Sequence, residues 1–228
     1  MRESTSTVSL GHREDRWGLE LKFDSRLRRA RLGLLIGLIG VLMIFISFTS
    51  AYIVRQGLPT LDPQTNTLVH DWFPLPLPEL LFFNTGLLLL SSVTMELARR
   101  QVARFTTPTR AASIPNVFAG REGTILWLAL TAVLGLSFLK GQWTVWREME
   151  ASGFYVASSP SSSFVYLLTG THGVHLLGGI FALLAAGATV LFRRPAESRV
   201  VVLDVTAWYW HFMTLLWVYI LCLLEFAR

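Results

Sequence analysis

The chain has 228 residues, of which 52% are hydrophobic and 15% charged, with a mean hydropathy of +0.49. That balance excludes a soluble globular domain and indicates a polytopic membrane protein. The formal net charge of +5 reads as a topology signal, because the basic residues gather on alternate loops, and no nucleic-acid partner is expected. With Cys222 as the single cysteine, neither an internal disulfide nor a thiolate metal cluster can form.

The first segment, Met1–Arg31, is a basic tail whose opening residues are Ser/Thr-rich and expected to be loose. Its positive region is too long for a secretory signal, and the apolar run behind it exceeds a signal's roughly 7–15 residues, so the first span is expected to be retained. Five apolar runs then meet the roughly 17–25 residues needed to cross a bilayer as a helix. They are about Leu32–Val54, Leu80–Leu97, Gly123–Trp146, Phe164–Phe192 and Val205–Phe226. The fourth would run about 43 Å at ~1.5 Å per residue, so it should tilt or project. Backbone groups in lipid must pair within the segment. The predicted fold is therefore all-α: a polytopic membrane helix bundle with five transmembrane helices, residues 32–228 forming one domain behind the 1–31 tail.

The connections carry ordinary signals. Arg55–Glu79 is rich in proline and mildly acidic, with Trp72 and Phe73 in the aromatic-belt position. The 106–117 segment, with Thr106, Pro108, Thr109, Ser113, Pro115 and Asn116, is a polar connector, as is 147–162 with its run Ser158–Ser162. Pro195 after Arg193 and Arg194 ends the fourth span. Sixteen Lys and Arg lie in the tail and the 98–122 and 193–204 segments. Against them stand only Arg55, Arg147 and Arg228 on the other face. The N-terminus should be cytoplasmic and the C-terminus outside.

Ionisable groups at membrane depth raise the question of function. His172 and His175 share one helical face with Leu168, Thr169, Leu176 and Gly179, while Gly170 and Gly173 lie on other faces where neighbours can approach. Neutral imidazoles at this spacing fit a metal or haem site. A structural role, through interhelical hydrogen bonds or donation to a lipid phosphate, fits better, because no further carboxylate or cysteine ligands stand at membrane depth. In the fifth span Trp210, Thr214, Trp217 and Leu221 form one stripe, with His211 beside it and Trp208 in the same aromatic run. Packing with satisfied indole donors competes there with a haem crevice. Asp204, just before that span, suits a helix N-cap or a ligand role. Lys140 can snorkel to the interface. Glu96 and Glu225 sit at span ends, and Asn84, Thr85, Ser91, Ser92 and Thr94 line the second span as helix-contact residues. No phosphate loop, nucleophile–base set or paired carboxylate is present. The candidate site residues are thus lipid or structural polar contacts, with no catalytic or metal-binding set: an accessory subunit rather than an enzyme acting alone.

Four stretches carry a family resemblance. Phe164…Thr169-Gly170-x-His172-Gly173-x-His175…Gly179 resembles the most recognisable motif of subunit III of the haem-copper oxidases, cytochrome c oxidase above all. Ala207-Trp208-Tyr209-Trp210-His211-Phe212 with Trp217 is similar to that family's last helix. Leu81–Thr85 with Ser91, Ser92 and Thr94 resembles another of its helices, and Leu134–Phe138 with Gln142 and Trp146 the next. The resemblance runs in order over about Arg31–Phe226. Many members carry seven helices, two of them before the position of Arg31, where this chain has its basic tail. A buried family glutamate falls at Val41, a second at Val145 and an aspartate at Thr214, which puts any proton-feeding role of the buried acid in doubt here.

The resemblance implies a short five-helix bacterial form in the inner membrane with a periplasmic C-terminus. It implies a non-redox accessory subunit that binds oxidase subunit I, lies in a complex with subunit II, and holds structural phospholipid. Such a subunit supports proton uptake and turnover stability while oxygen is reduced to water. Haem and copper are expected in the partner subunits and none in this chain; a small fourth subunit is a candidate cover for an open apolar face. A quinol oxidase or nitric-oxide-reductase complex is the near alternative, which a neighbouring gene for a cupredoxin-bearing subunit would disfavour. A free-standing haem-binding or transport protein is the distant one, which a haem assay on the isolated chain would decide.

Overall fold

A computed structural model of the protein describes residues 4–61, 66–69, 72, 78–106 and 120–226, and the backbone alone at 4–22, 61, 69 and 104–106. Among the described residues five long helices follow in chain order: α1 (Ser4–Gly57), α2 (Leu80–Thr106), α3 (Arg121–Ala151), α4 (Pro160–Leu191) and α5 (Ala196–Phe226). Each contains a stretch long and apolar enough to cross a membrane. Between α1 and α2 a two-residue ladder, β1 (Thr60–Leu61) antiparallel to β2 (Leu68–Val69), pairs Thr60 with Val69 and Leu61 with Leu68. Residues 107–117 of the expected polar connector, and Phe73 with part of the proline-rich segment, lie outside the described residues.

Two helices begin well before their apolar runs. α1 continues back through the basic tail to Ser4, so the expected loose start is helical. α5 begins at Ala196, directly after Pro195, with Glu197 in its first turn. Arg, Lys, Leu and Glu are good helix formers, so the helix does not stop where its contact with lipid does. Asp204 consequently lies two turns inside α5. The N-cap expectation for it is corrected: by Asp204 the backbone amides already bond within the helix.

α4 starts as its sequence indicates. Ser159 is the N-cap, its side chain accepts from the Ser162 amide at 3.2 Å, and Ser162 Oγ accepts in turn from the Ser159 amide. Pro160 occupies the first helical position, where its missing donor costs nothing. The serine run is thus a capping box as well as a connector. At the other end Arg193 takes a left-handed conformation (φ 52°) and the Arg194 amide bonds back to the Thr189 carbonyl, a helix-ending turn.

α2, α3, α4 and α5 form an up-and-down ring in which each touches its sequence neighbour and α5 closes on α2; α1 leans on α4 and α5 from outside. The seam of α1 is Val41, Phe45, Phe48 and Tyr52, spaced by three or four residues as one helical face requires. Only 6% of its most apolar window is buried, so the rest of that helix is free to face lipid or another protein. Trp72, expected in the aromatic-belt position, turns inward. It is buried edge-to-face on Tyr52 at 4.9 Å and beside Phe164.

The closest helix approaches fall at two glycines. A Cβ on Gly135 would come within 2.8 Å of Trp210 Cη2, so the α3 glycine makes room for an indole of α5. A Cβ on Gly141 would overlap the Asn84 side chain, which fixes the crossing of α2 and α3.

Candidate functional site

The polar residues of the bundle tie neighbouring helices together. Trp210 Nε1 donates to Ser91 Oγ at 3.0 Å, and Trp217 Nε1 to Thr85 Oγ1 at 2.9 Å, both joining α5 to α2. The Thr94 and Thr131 hydroxyls bond at 2.8 Å between α2 and α3. Trp146 Nε1 donates to Thr169 Oγ1 at 3.1 Å between α3 and α4. Tyr209 Oη donates to the His175 carbonyl at 2.8 Å between α4 and α5. Tyr219 Oη bonds Thr49 Oγ1 at 2.9 Å and ties α5 to α1. Interhelical bonds of this kind average about 0.6 kcal/mol each within a membrane, so their effect is to fix register more than to supply stability.

The three membrane histidines have different surroundings. His211 is half-buried: Nδ1 lies 2.5 Å from Ser92 Oγ and Nε2 3.5 Å from Glu96 Oε2. With a neutral ring, the proton belongs on Nε2, facing the carboxylate, and Nδ1 accepts from the serine hydroxyl. His175 turns toward α1; its Nδ1 is 2.8 Å from the Thr171 carbonyl of its own helix and its ring packs on Phe45. His172 is fully buried against Phe138 and Trp217, with ring centroids 5.9 and 5.0 Å away. The shared sequence face of His172 and His175 thus divides between the bundle core and the α1 seam. Among the described residues, no three of His, Cys, Asp and Glu gather as a metal-ligand set.

A charged cluster occupies the end of the bundle where α1 and α5 enter and α2 leaves. The Asp204 carboxylate accepts from Arg31 Nε at 2.8 Å and Nη2 at 3.1 Å, and from Arg99 Nη1 at 3.2 Å. Arg99 also grips Glu96 with two bonds of 2.8 Å, and Arg100 Nε reaches Glu96 at 2.7 Å. Three helices are thereby fastened at one level, with Asp204 itself only 5% exposed. Glu96, expected as an ordinary interfacial residue, belongs to this cluster, which helical spacing alone does not reveal. The available signal was depth: Arg31, Arg99 and Asp204 all stand at the basic ends of their spans.

The remaining candidates separate cleanly. Trp210 and Trp217 are core residues, whereas Trp208 is 55% exposed and points away from the bundle, in position to meet lipid. Lys140 is exposed, as snorkelling requires. Val41 is half-buried against the core, and Val145 and Thr214 are buried within it; Thr214 donates to the Trp210 carbonyl. On the outer side of α3 and α4 an apolar groove of about 300 Å³ is lined by residues including Ile125, Leu128, Ala132, Leu183 and Leu191.

This architecture has known relatives. The sequence profile of the family described as "Cytochrome c oxidase subunit III" matches residues 25–226. A "Probable cytochrome c oxidase subunit 3" of Mycobacterium tuberculosis (strain ATCC 25618 / H37Rv) is 33% identical over 121 residues, covering 50% of this chain and 58% of that protein. A "Cytochrome c oxidase subunit 3" of Branchiostoma floridae is 28% identical over 196 residues, covering 83% and 66%. One from Chondrus crispus is 25% identical over 196 residues, covering 83% and 64%. The chain thus spans less than two thirds of the length of the relatives it matches. The profile nevertheless covers nearly all of the five-helix bundle, and the chain belongs to the cytochrome c oxidase subunit III family.

Proposed function

We propose that this chain is a non-redox accessory subunit of an aerobic respiratory terminal oxidase. It sits in a bacterial inner membrane with its N-terminus cytoplasmic and its C-terminus periplasmic. It packs against the haem- and copper-bearing subunit I in a complex that also holds subunit II. The observation that carries this reading is the family match across residues 25–226 together with the use made of the polar side chains. The indoles of Trp146, Trp210 and Trp217 and the ring of His211 are engaged between helices, which is the pattern of a packing scaffold.

Its contribution is mechanical and lipidic. The exposed apolar side of α1 is a surface for subunit I, a small fourth subunit or lipid. The α3–α4 groove runs toward the basic end of the bundle, where Arg121 begins α3 and Arg193 and Arg194 follow α4. An acyl chain in the groove with an anionic headgroup near those arginines satisfies both chemistries. Support for proton uptake belongs to the same basic end, where Glu96, Asp204 and His211 concentrate protonatable groups.

Affinity purification of the tagged chain from its native membrane, with identification of everything that comes with it, tests the reading. Stoichiometric recovery of a haem- and copper-bearing oxidase core is expected; recovery of the chain without any such core overturns it.

A further inference from the structure

Asn84 Nδ2, both amide atoms of Gln142 and both ring nitrogens of His172 are enclosed and have no hydrogen-bond partner among the described residues. The three side chains are at most 3% exposed and come from three helices, α2, α3 and α4. Their level in the bundle is the same. Asn84 fills the space above Gly141, the residue before Gln142. Along the α3–α4 contact, Gly170 faces Trp146 and Gly173 faces Leu139, so Gln142 stands opposite the turn that carries His172. The His172 ring packs on Phe138, one turn from Gln142, and on Trp217, whose indole nitrogen bonds Thr85 beside Asn84.

For Gln142 and His172, reorientation does not satisfy the groups. Flipping the Gln142 amide exchanges two atoms that are both unpartnered. Changing the tautomer of His172 exchanges two nitrogens that are both unpartnered. Buried polar groups left without bonds are strongly disfavoured in an apolar interior. The site offers the donors of Asn84 and Gln142, the Gln142 carbonyl oxygen, and an imidazole that donates at one nitrogen and accepts at the other. It holds no carboxylate; Asp204 and Glu96 sit in the cluster at the basic end. A mixed, neutral, donor-rich set suits a ligand that both gives and accepts hydrogen bonds, and disfavours a bare cation.

We propose that Asn84, Gln142 and His172 form an internal water-binding site that joins α2, α3 and α4 in the interior of the bundle. At about three bonds per buried water, five atoms call for about two molecules. The site does not depend on which complex the chain joins.

The test is water-edited solid-state NMR on the full chain in phospholipid nanodiscs, with ring-¹⁵N histidine. The His172 signals are identified by their loss in His172→Phe. Should that variant not accumulate, His12→Gln, His70→Gln, His175→Gln and His211→Gln identify them by elimination among the five histidines. Transfer of magnetisation from water to the His172 ring, despite its burial, is the expected result. Gln142→Leu, or Gln142→Met if the first variant fails to fold, should reduce that transfer at least twofold and leave His211 unchanged. A His172 ring that receives nothing from water while His211 does would overturn the proposal, as would transfer indifferent to residue 142. A high-resolution map showing Asn84, Gln142 and His172 bonded directly to one another would overturn it as well.

Discussion

Asp204 holds Arg31 through both carboxylate oxygens, a pairing between residues 173 positions apart. It fastens the inner turn of α1 to α5 at the point where Arg99 brings in α2. The Arg31 side chain is 49% exposed and that of Asp204 only 7%, so the pair stands between a surface and a buried ion pair.

Asp204→Asn should therefore destabilise the protein by about 1–3 kcal/mol, above the 0–1 kcal/mol of an exposed pair and below the loss of a fully buried partner. Arg31→Gln should cost less, because Arg99 still serves the carboxylate. Thermal unfolding of the purified chain in one fixed detergent measures both; equal and negligible shifts would remove the cluster from the account.

Gly135→Ala should overpack the α3–α5 contact, since the added methyl meets the Trp210 ring, at a cost of about 1–3 kcal/mol. Trp210→Phe removes the ring atoms concerned along with the Ser91 bond. The double variant should be less destabilised than the sum of the single ones. Additive costs in that cycle would mean that the two residues do not touch.

The three histidines should not respond alike. Replacing His211 by Leu removes a bond to Ser92 that joins two helices, and should share most of its effect with Ser92→Ala, with a coupling of about 0.5–1.5 kcal/mol. Replacing His175 removes only a bond to its own helix and ring contact with Phe45, and should cost less. Unfolding midpoints for His211→Leu, Ser92→Ala, their double variant and His175→Leu decide this.

Val41→Ala should behave as a loss of packing, about 1 kcal/mol for a half-buried methyl pair, with the same effect on stability at pH 6 and pH 9. A pH-dependent effect would mean that the position is coupled to a titrating group, which its contacts with the core do not supply.

Much of the fold was legible because lipid imposes one rule on every segment that crosses it. The apolar runs of α2 to α5 gave their spans, and the serine run before α4 was visible even though its capping role was not. The helices α1 and α5 start ahead of their apolar runs because hydropathy reports lipid contact, while charged residues such as Arg26, Arg28, Arg29 and Glu197 remain helical outside it. For the site, the stripe of Trp210, Thr214 and Trp217 followed from helical spacing. The Arg31–Asp204–Arg99–Glu96 cluster did not, because helical periodicity says which residues share a face and nothing about which helix faces them. The division of His172 from His175 has the same origin: α1 approaches one side of that face and α3 the other.

Topology is accessible to labelling. With Cys222→Ser as background, a cysteine at Ser158 should react with a membrane-impermeant thiol reagent in intact cells, and one at Ala196 should react only after lysis. The reverse pattern would invert the proposed orientation.

As proposed, the chain supports a terminal oxidase without taking part in its electron transfer. Initial oxygen-reduction rate and inactivation per turnover, measured on the same oxidase with and without this chain, test it most directly. Without the chain, the initial rate should be largely preserved and inactivation markedly faster. Immediate and complete loss of the initial rate, in a core that keeps all its haem and copper, would contradict it.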